Sequence, residues 1–157
     1  FLECFQEVAK EYPEIKSDDI IVDDLCMKLV TRPDLFDVLV LTNLQGDIVS
    51  DLCAGLVGGL GFAPSANIGD HISIFEAVHG TAPDIAGKNI ANPSSIFLST
   101  KMMLEWIGEK FKDPLLFTEA VKIENAIVTL LKQNNKTIDI GGNLSTTEFT
   151  RMVIDNL

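Results

Sequence analysis

The chain is 157 residues long, 46% hydrophobic and 22% charged, which suits one ordinary domain with a sizeable core and excludes a disordered one. Its net charge of −11 repels nucleic-acid phosphates and anionic lipids, so neither is an expected partner, and no run approaches the ~20 apolar residues of a membrane span. Three scattered cysteines, Cys4, Cys26 and Cys53, lack metal-clip spacing and fit a reducing compartment, so a soluble cytoplasmic protein is expected, or alternatively one of the mitochondrial matrix.

An amphipathic stripe runs from Phe1 and Leu2 through Phe5, Val8 and Ala9 and predicts a helix over Leu2–Tyr12, closed by Pro13. A chain that opens inside such a stripe is expected to be an excerpt of a longer one, or a deliberately expressed piece. Ile20-Ile21-Val22 predicts a short strand and Asp23–Val30 a helix that stops before Arg32-Pro33. The apolar Asp37–Thr42 predicts a strand buried on both faces. Asn43–Gly46 reads as a loop, and Asp47–Leu56 as a helix leading into Gly58-Gly59-Leu60-Gly61. His71–Val78 is a further predicted strand. His79–Pro93, with two prolines and two glycines, reads as a long loop of the kind that carries function. Helices follow over Ser94–Lys110 and Leu115–Gln133, and Asn134-Asn135-Lys136-Thr137 breaks the pattern. Ser145 with Glu148 marks a capping box for a last helix ending near Leu157. Strands alternating with helices, and no hairpin signal, argue an α/β fold.

Asp47 and Asp51 lie four apart at the start of a helix that follows a buried strand, so both carboxylates share one helical face at the end of a sheet where α/β ligands collect. Two oxygen ligands on a rigid turn suit Mg2+ or Mn2+, which take few carboxylates and keep water or substrate oxygens. First-turn aspartates also complement a helix dipole, and spacing alone leaves both readings open. Asp18, Asp19, Asp23 and Asp24 read locally as solvated turn charge. The loop from His79 to Gly87 exposes backbone amides on small residues, which lets a ligand approach the main chain. It is not the G-x-G-x-x-G fingerprint, and Gly58, Gly59 and Gly61 fail that context because they close a helix. On its residues alone, the loop binds an unidentified ligand, and a lone histidine in it is more often structural than catalytic.

Asn43-Leu44-Gln45-Gly46-Asp47-Ile48-Val49-Ser50-Asp51 resembles the N-x-x-G-D-x-x-S-D signature of the isocitrate/isopropylmalate dehydrogenase family, the β-decarboxylating dehydrogenases. His79-Gly80-Thr81-Ala82-Pro83-Asp84-Ile85-Ala86-Gly87-Lys88-Asn89-Ile90-Ala91-Asn92-Pro93 resembles that family's cofactor loop almost without a gap. The resemblance covers essentially the whole chain, but only the later part of the family's fold. That fold is a doubly wound α/β type, distinct from the Rossmann dehydrogenases, with a large and a small domain, and it works as homodimers or larger homo-oligomers. The resemblance implies a remnant of the small, dimerisation and metal domain at residues 1–57. It places a C-terminal portion of the large, cofactor-binding domain at 58–157.

The same resemblance implies that Asp47 and Asp51 bind the divalent metal, with Asp23 as a third ligand supplied across the subunit contact, which reverses the local readings of all three. Mg2+ or Mn2+ would serve there as a Lewis acid toward a 2-hydroxy acid. The implied cofactor-binding residues are His79, Gly80, Thr81, Ala82, Pro83, Asp84, Ile85 and Asn92. Of these, His79 packs near the adenine, Asn92 contacts it, and Asp84 accepts hydrogen bonds from the adenosine ribose hydroxyls. NADP-using relatives carry Lys-Tyr where this chain has Asp84-Ile85, and place Tyr and Arg near the C-terminal segment. Here that segment reads Thr137-Ile138-Asp139-Ile140-Gly141-Gly142, without arginine, so the implied cofactor is NAD.

The implied reaction is oxidative decarboxylation of isocitrate to 2-oxoglutarate and CO2, with 3-isopropylmalate and homoisocitrate as alternative substrates. Isocitrate is favoured because the flanks Glu7–Pro13 and Gly58–Gly69 look like those of bacterial isocitrate dehydrogenases. The family's substrate arginine cluster, catalytic tyrosine and partner-supplied lysine lie upstream. Tyr12 is the only tyrosine here and, like Arg32 and Arg151, matches none of those positions, so no catalytic residue is expected in this chain and it is expected to be inactive alone. Two readings of other classes stand beside the enzyme. One is a non-catalytic regulatory subunit, which need not keep Asp23, Asp47 and Asp51. The other is a dimerisation module built on the apolar helix Ile48–Leu56.

Overall fold

The computed structural model describes residues 1–157, which divide by their contacts into two units, Phe1–Leu56 and Val57–Leu157. In the first, the amphipathic stripe winds into α1 (Leu2–Ala9), shorter than its sequence predicts, because the backbone from Lys10 to Ile15 tightens into successive turns bonded three residues back. This helix buries none of its residues, and Phe1, Leu2 and Val8 face outward. The strand expected at Ile20–Val22 does not form. Ile21 is extended, with φ −70° and ψ 138°, but it serves as N-cap of α2 (Val22–Thr31), so Val22 is already helical.

The strand expected at Asp37–Thr42 does not form either. After a 3-10 turn at Pro33–Leu35, the segment has no ladder partner, because the only sheet of the chain lies in the other unit. Leu39 and Leu41 turn inward onto Leu25 and Leu29 of α2 and Val49 of the next helix, together with Phe36 and Cys53. Val38 and Val40 alternate with them and are 84% and 57% exposed, so the segment is apolar on both sides yet buried on only one. That next helix, α3 (Asn43–Leu56), begins four residues earlier than the sequence predicts. At this start the Gly46 amide donates to the Thr42 carbonyl at 2.7 Å, and Thr42 Oγ1 donates to Gln45 Oε1 at 3.1 Å.

The second unit opens on a turn with Gly58 and Gly59 at φ of 120° and 103°. An antiparallel hairpin follows, β1 (Pro64–Ile68) paired with β2 (Ser73–Ala77), in the register Pro64↔Ala77 to Ile68↔Ser73. The hairpin departs from the sequence expectation. Pro, Ser, Ala and Asn in β1 carry little strand propensity, and pairing with β2 overrides it. The Gly69 amide closes the connection on the Ile72 carbonyl at 3.1 Å.

Helix α4 (Ser94–Phe111) packs on the hairpin and on α5 (Pro114–Lys132), and α5 packs on α6 (Thr146–Asp155). Its first turns bury Ser94, Ser95 and Ser99, small side chains that admit the hairpin backbone closely. Ser95 Oγ donates to the Ala63 carbonyl at 2.5 Å, and Ser99 Oγ donates to the Glu76 carbonyl at 2.7 Å while accepting from the Ser65 amide. Asp113 caps α5 through the Leu115 amide at 3.0 Å. The core is Ile123, Ala126, Ile127 and Leu130 of α5 against Phe149 and Val153 of α6. No helix is long and apolar enough to cross a membrane.

Lys101 bridges α4 to α5, with Nζ 3.0 Å from Glu124 and 3.3 Å from Glu105. The hydrogen bond to Glu124, helped by Glu105, raises its pKa above 10.5 despite partial desolvation. A raised cationic pKa stabilises the fold fully below the unfolded value, and that contribution is lost as pH climbs through the raised one. Lys101→Met is therefore expected to lower the melting temperature by a few degrees at pH 8. The difference should shrink as the pH climbs through the raised pKa of the lysine, in thermal melts followed through Trp106, the only tryptophan, whose ring lies tilted against Phe75 at 6.1 Å.

Candidate functional site

Asp47 and Asp51 are both exposed on α3, which is anchored by the buried Val49 on its opposite side. Because the helix starts at Asn43, neither lies in its first turn, which carries no acid at all. Complementing the dipole is thus no explanation for Asp47, since that effect falls off within one turn. Neither carboxylate enters any of the ion pairs of the chain. Ser50 Oγ, between them, donates to the Asp47 main-chain carbonyl at 3.0 Å and leaves its carboxylate free.

Asp23 sits in the first turn of α2, exposed, and its Oδ1 accepts the Asp24 amide at 2.8 Å. Asp24 is committed elsewhere, to Lys28 at 2.6 Å. Within one chain no three His, Cys, Asp or Glu side chains come together as a metal cage, so the structure does not gather Asp23 with Asp47 and Asp51, which lie one helical turn apart on α3. An all-oxygen pair with open positions fits a hard divalent cation, which needs only one or two protein carboxylates beside water and substrate oxygens. A groove lined by Leu2, Phe5, Ala9, Asp18 and Asp19 contains none of the expected site residues.

In the second unit the expected loop is a loop, running from the end of β2 to the start of α4 with one 3-10 turn at Pro83–Ile85. Ala82 takes the left-handed conformation, φ 41° and ψ 62°, and this turns Pro83-Asp84-Ile85 outward as a knuckle. His79, Gly80, Thr81, Ala82, Pro83 and Asp84 are all exposed, while Ile85 is half-buried. Asp84 carries no ion pair, and His79 Nδ1 lies 3.0 Å from the Gly80 carbonyl. A Cβ built on Gly80 meets nothing within 4 Å, so packing inside the chain does not demand glycine there. A ligand approaching the main chain would supply that demand.

Asn92 differs from the other loop residues. It is buried, and its side chain is engaged within the fold: Oδ1 accepts the Ser94 amide at 3.0 Å, and Nδ2 donates to Asp139 Oδ2 at 3.0 Å. Asp139 Oδ1 in turn accepts the Thr137 hydroxyl at 2.5 Å. Gly61 closes the cluster, since a Cβ there would stand 2.9 Å from Asn92 Cβ. A ligand would therefore meet the main chain of Asn92 more readily than its carboxamide. Asp139, Asn89, Thr146 and Thr147 were not foreseen as partners of the loop, and no local pattern could reveal them, because their contacts span 47 to 58 residues.

Compared with known proteins, residues 1–153 match the family model described as isocitrate/isopropylmalate dehydrogenase. The chain is 53% identical over its whole length to the mitochondrial catalytic subunit 5 of NAD isocitrate dehydrogenase from Arabidopsis thaliana, of which it spans 41%. It is 52% identical to an isocitrate/homoisocitrate dehydrogenase of Thermus thermophilus, spanning 45% of that protein. Its fold superposes on the crystal structure of isocitrate dehydrogenase from Methylococcus capsulatus with a TM-score of 0.87 at 46% identity, covering 99% of this chain and 44% of that one. The chain thus spans less than half the length of these relatives, and its α/β fold corresponds to a segment of theirs.

Proposed function

The chain belongs to the isocitrate/isopropylmalate dehydrogenase family, and from that premise we propose that it is part of an NAD-dependent enzyme that oxidatively decarboxylates isocitrate to 2-oxoglutarate. The observation that carries this reading is the pair Asp47 and Asp51, held one turn apart on an exposed helix face and spent on no internal ion pair. Two such carboxylates hold Mg2+ or Mn2+, with Asp23 as the third ligand contributed by a second copy of the chain. A divalent cation at that position supplies Lewis acidity to the substrate hydroxyl and carboxylate. Asp47 and Asp51 fix its place, and α3, anchored by Val49 in the Leu25–Leu29 cluster, keeps their geometry rigid.

In the other unit, the exposed knuckle at Asp84 receives the adenosine end of the cofactor. Its carboxylate accepts hydrogen bonds from the ribose 2′- and 3′-hydroxyls, the bare main chain at Gly80 admits close approach, and His79 flanks the base. These residues bind and orient; none of them moves the hydride or a proton. Residues 1–57 serve as the dimerisation and metal portion, and 58–157 as the cofactor-binding portion.

The substrate is tested with the complete protein, Mn2+ and NAD, by following NADH absorbance with isocitrate, homoisocitrate and 3-isopropylmalate in parallel. Isocitrate is expected to give the highest kcat/KM. A higher value for either of the others would replace the substrate while leaving the cofactor and metal assignments standing. No turnover with any of the three, in protein that is folded, would favour the regulatory-subunit reading.

A further inference from the structure

A helix leaves its first N–H groups without internal partners, and something else must accept them. At the start of α6 the accounting can be completed. Ser145 and Glu148 satisfy two of these donors reciprocally: Oε2 of Glu148 accepts the Ser145 amide at 2.9 Å, and Oγ of Ser145 accepts the Glu148 amide at 3.3 Å. The Ser145 contacts hold the Glu148 carboxyl below the usual carboxylate range, so this half of the cap persists at neutral pH and is lost in acid. The other two donors go to a single residue far away in sequence. Thr146 N–H donates to the Asn89 carbonyl at 2.9 Å, and Thr147 N–H to Asn89 Oδ1 at 3.2 Å. The Thr147 hydroxyl adds a bond to the same Oδ1 at 2.8 Å, and the Thr146 hydroxyl binds the Ala91 carbonyl at 2.5 Å.

Asn89 reaches this position because its backbone is left-handed, φ 56°, a conformation asparagine tolerates better than most residues. Its contacts matter for the loop because the preceding stretch has no others of their kind. From His79 to Lys88 the hydrogen bonds run within the stretch: Ile85 to Ala82, Ala86 to Pro83, Lys88 to Ile85, and His79 to Gly80. Between the end of β2 at Ala77 and Asn89, no hydrogen bond ties the exposed knuckle to the body of the unit, and Asn89 then grips α6.

We propose that Asn89 is a positioning residue, which by capping α6 with its carboxamide and carbonyl fixes the Ala82–Ile85 knuckle for the dinucleotide. This rests on the reading of the loop as the cofactor site. It makes no contact with the cofactor itself; it acts through the loop, and so bears on cofactor binding and not on the chemical step.

The experiment compares Asn89→Gly, which keeps the left-handed backbone and the main-chain carbonyl but removes the side-chain acceptor, with Asn89→Asp, which keeps a side-chain acceptor, both in the complete protein. Asn89→Gly is expected to raise the KM for NAD about three- to tenfold with kcat within about twofold, the size of one or two net hydrogen bonds. Amide exchange should quicken at Thr147 and across residues 82–86, and Asn89→Asp should restore both readouts. Unchanged exchange over 82–86 in Asn89→Gly overturns the proposal, and so does faster exchange with an unchanged KM for NAD. Should Asn89→Gly fail to fold, Thr147→Val deletes one bond to Oδ1 and reads the same quantities, and wild-type exchange and KM there overturn it equally. A cofactor ratio unmoved by Asp84→Lys with Ile85→Tyr sinks the cofactor reading itself, and the proposal with it. A ratio that moves while Asn89→Gly leaves the KM alone removes only the role of Asn89.

Discussion

Replacing Asp84 by Lys together with Ile85 by Tyr, in the complete protein, is expected to turn preference from NAD toward NADP by about a thousandfold or more in the ratio of kcat/KM values. The knuckle holds Asp84 exposed and free of ion pairs, and on the proposed reading its carboxylate faces the ribose. A carboxylate about 4 Å from a 2′-phosphate costs on the order of 4 kcal/mol per unit charge at an effective dielectric near 20, and each 1.4 kcal/mol is about a decade. Lysine removes that repulsion and adds attraction, while NAD loses the acceptor for its ribose hydroxyls. Tyrosine at position 85 extends a half-buried side chain outward beside the phosphate. The measurement is initial rates with both dinucleotides at saturating substrate and metal. A ratio within about threefold of wild type, far below the electrostatic expectation, would take the discrimination away from Asp84.

The parts of the structure that were legible in the sequence are those whose interactions are local. The capping box of α6 needs only Ser145 and Glu148, three residues apart, and both of its bonds form. Helices α4 and α5 follow from apolar periodicity, and the loop from His79 to Pro93 follows from its prolines, glycines and small residues. The failures share a cause as well. Ile20–Val22 and Asp37–Thr42 have strand composition, but composition names a tendency and a ladder needs a second strand, which this chain does not bring to either segment. Conversely, β1 has poor composition and forms because β2 lies next to it. The early start of α3 at Asn43 moves Asp47 out of the first turn. For the proposed site, motif resemblance singled out residues that the structure leaves exposed, Asp84 among them. It could not show that Asn92 spends its carboxamide on Asp139, or that Asn89 caps a helix, since both contacts are made by folding alone.

A second large effect is expected at the proposed metal ligands. Asp47→Asn and Asp51→Asn, each in the complete protein, should raise the Mg2+ concentration for half-maximal rate at least about tenfold. Partners one step removed from a metal already cost about 10- to 100-fold, and a direct oxygen ligand counts for more. Asp24→Asn is the internal control, because Asp24 is committed to Lys28 at 2.6 Å and should leave the requirement unchanged. Wild-type metal dependence in both Asp47→Asn and Asp51→Asn would remove them from the site. The third ligand has a sharper test. Asp23 is not gathered with Asp47 and Asp51 into a cluster within one chain. If it acts on a second copy, Asp23→Asn and Asp47→Asn proteins should each be nearly inactive at low Mg2+, yet regain activity when mixed and allowed to exchange subunits. In a mixed dimer one site draws Asp47 and Asp51 from the Asp23→Asn chain and an intact Asp23 from the other, while the second site carries both lesions. Random exchange makes half the dimers mixed with one good site of two, so about one quarter of wild-type activity should return. Mixing Asp51→Asn with Asp47→Asn should restore nothing, because those two ligands come from the same helix. Recovery absent in the first mixture, with exchange verified, would place all three aspartates in one chain's site or take Asp23 out of it.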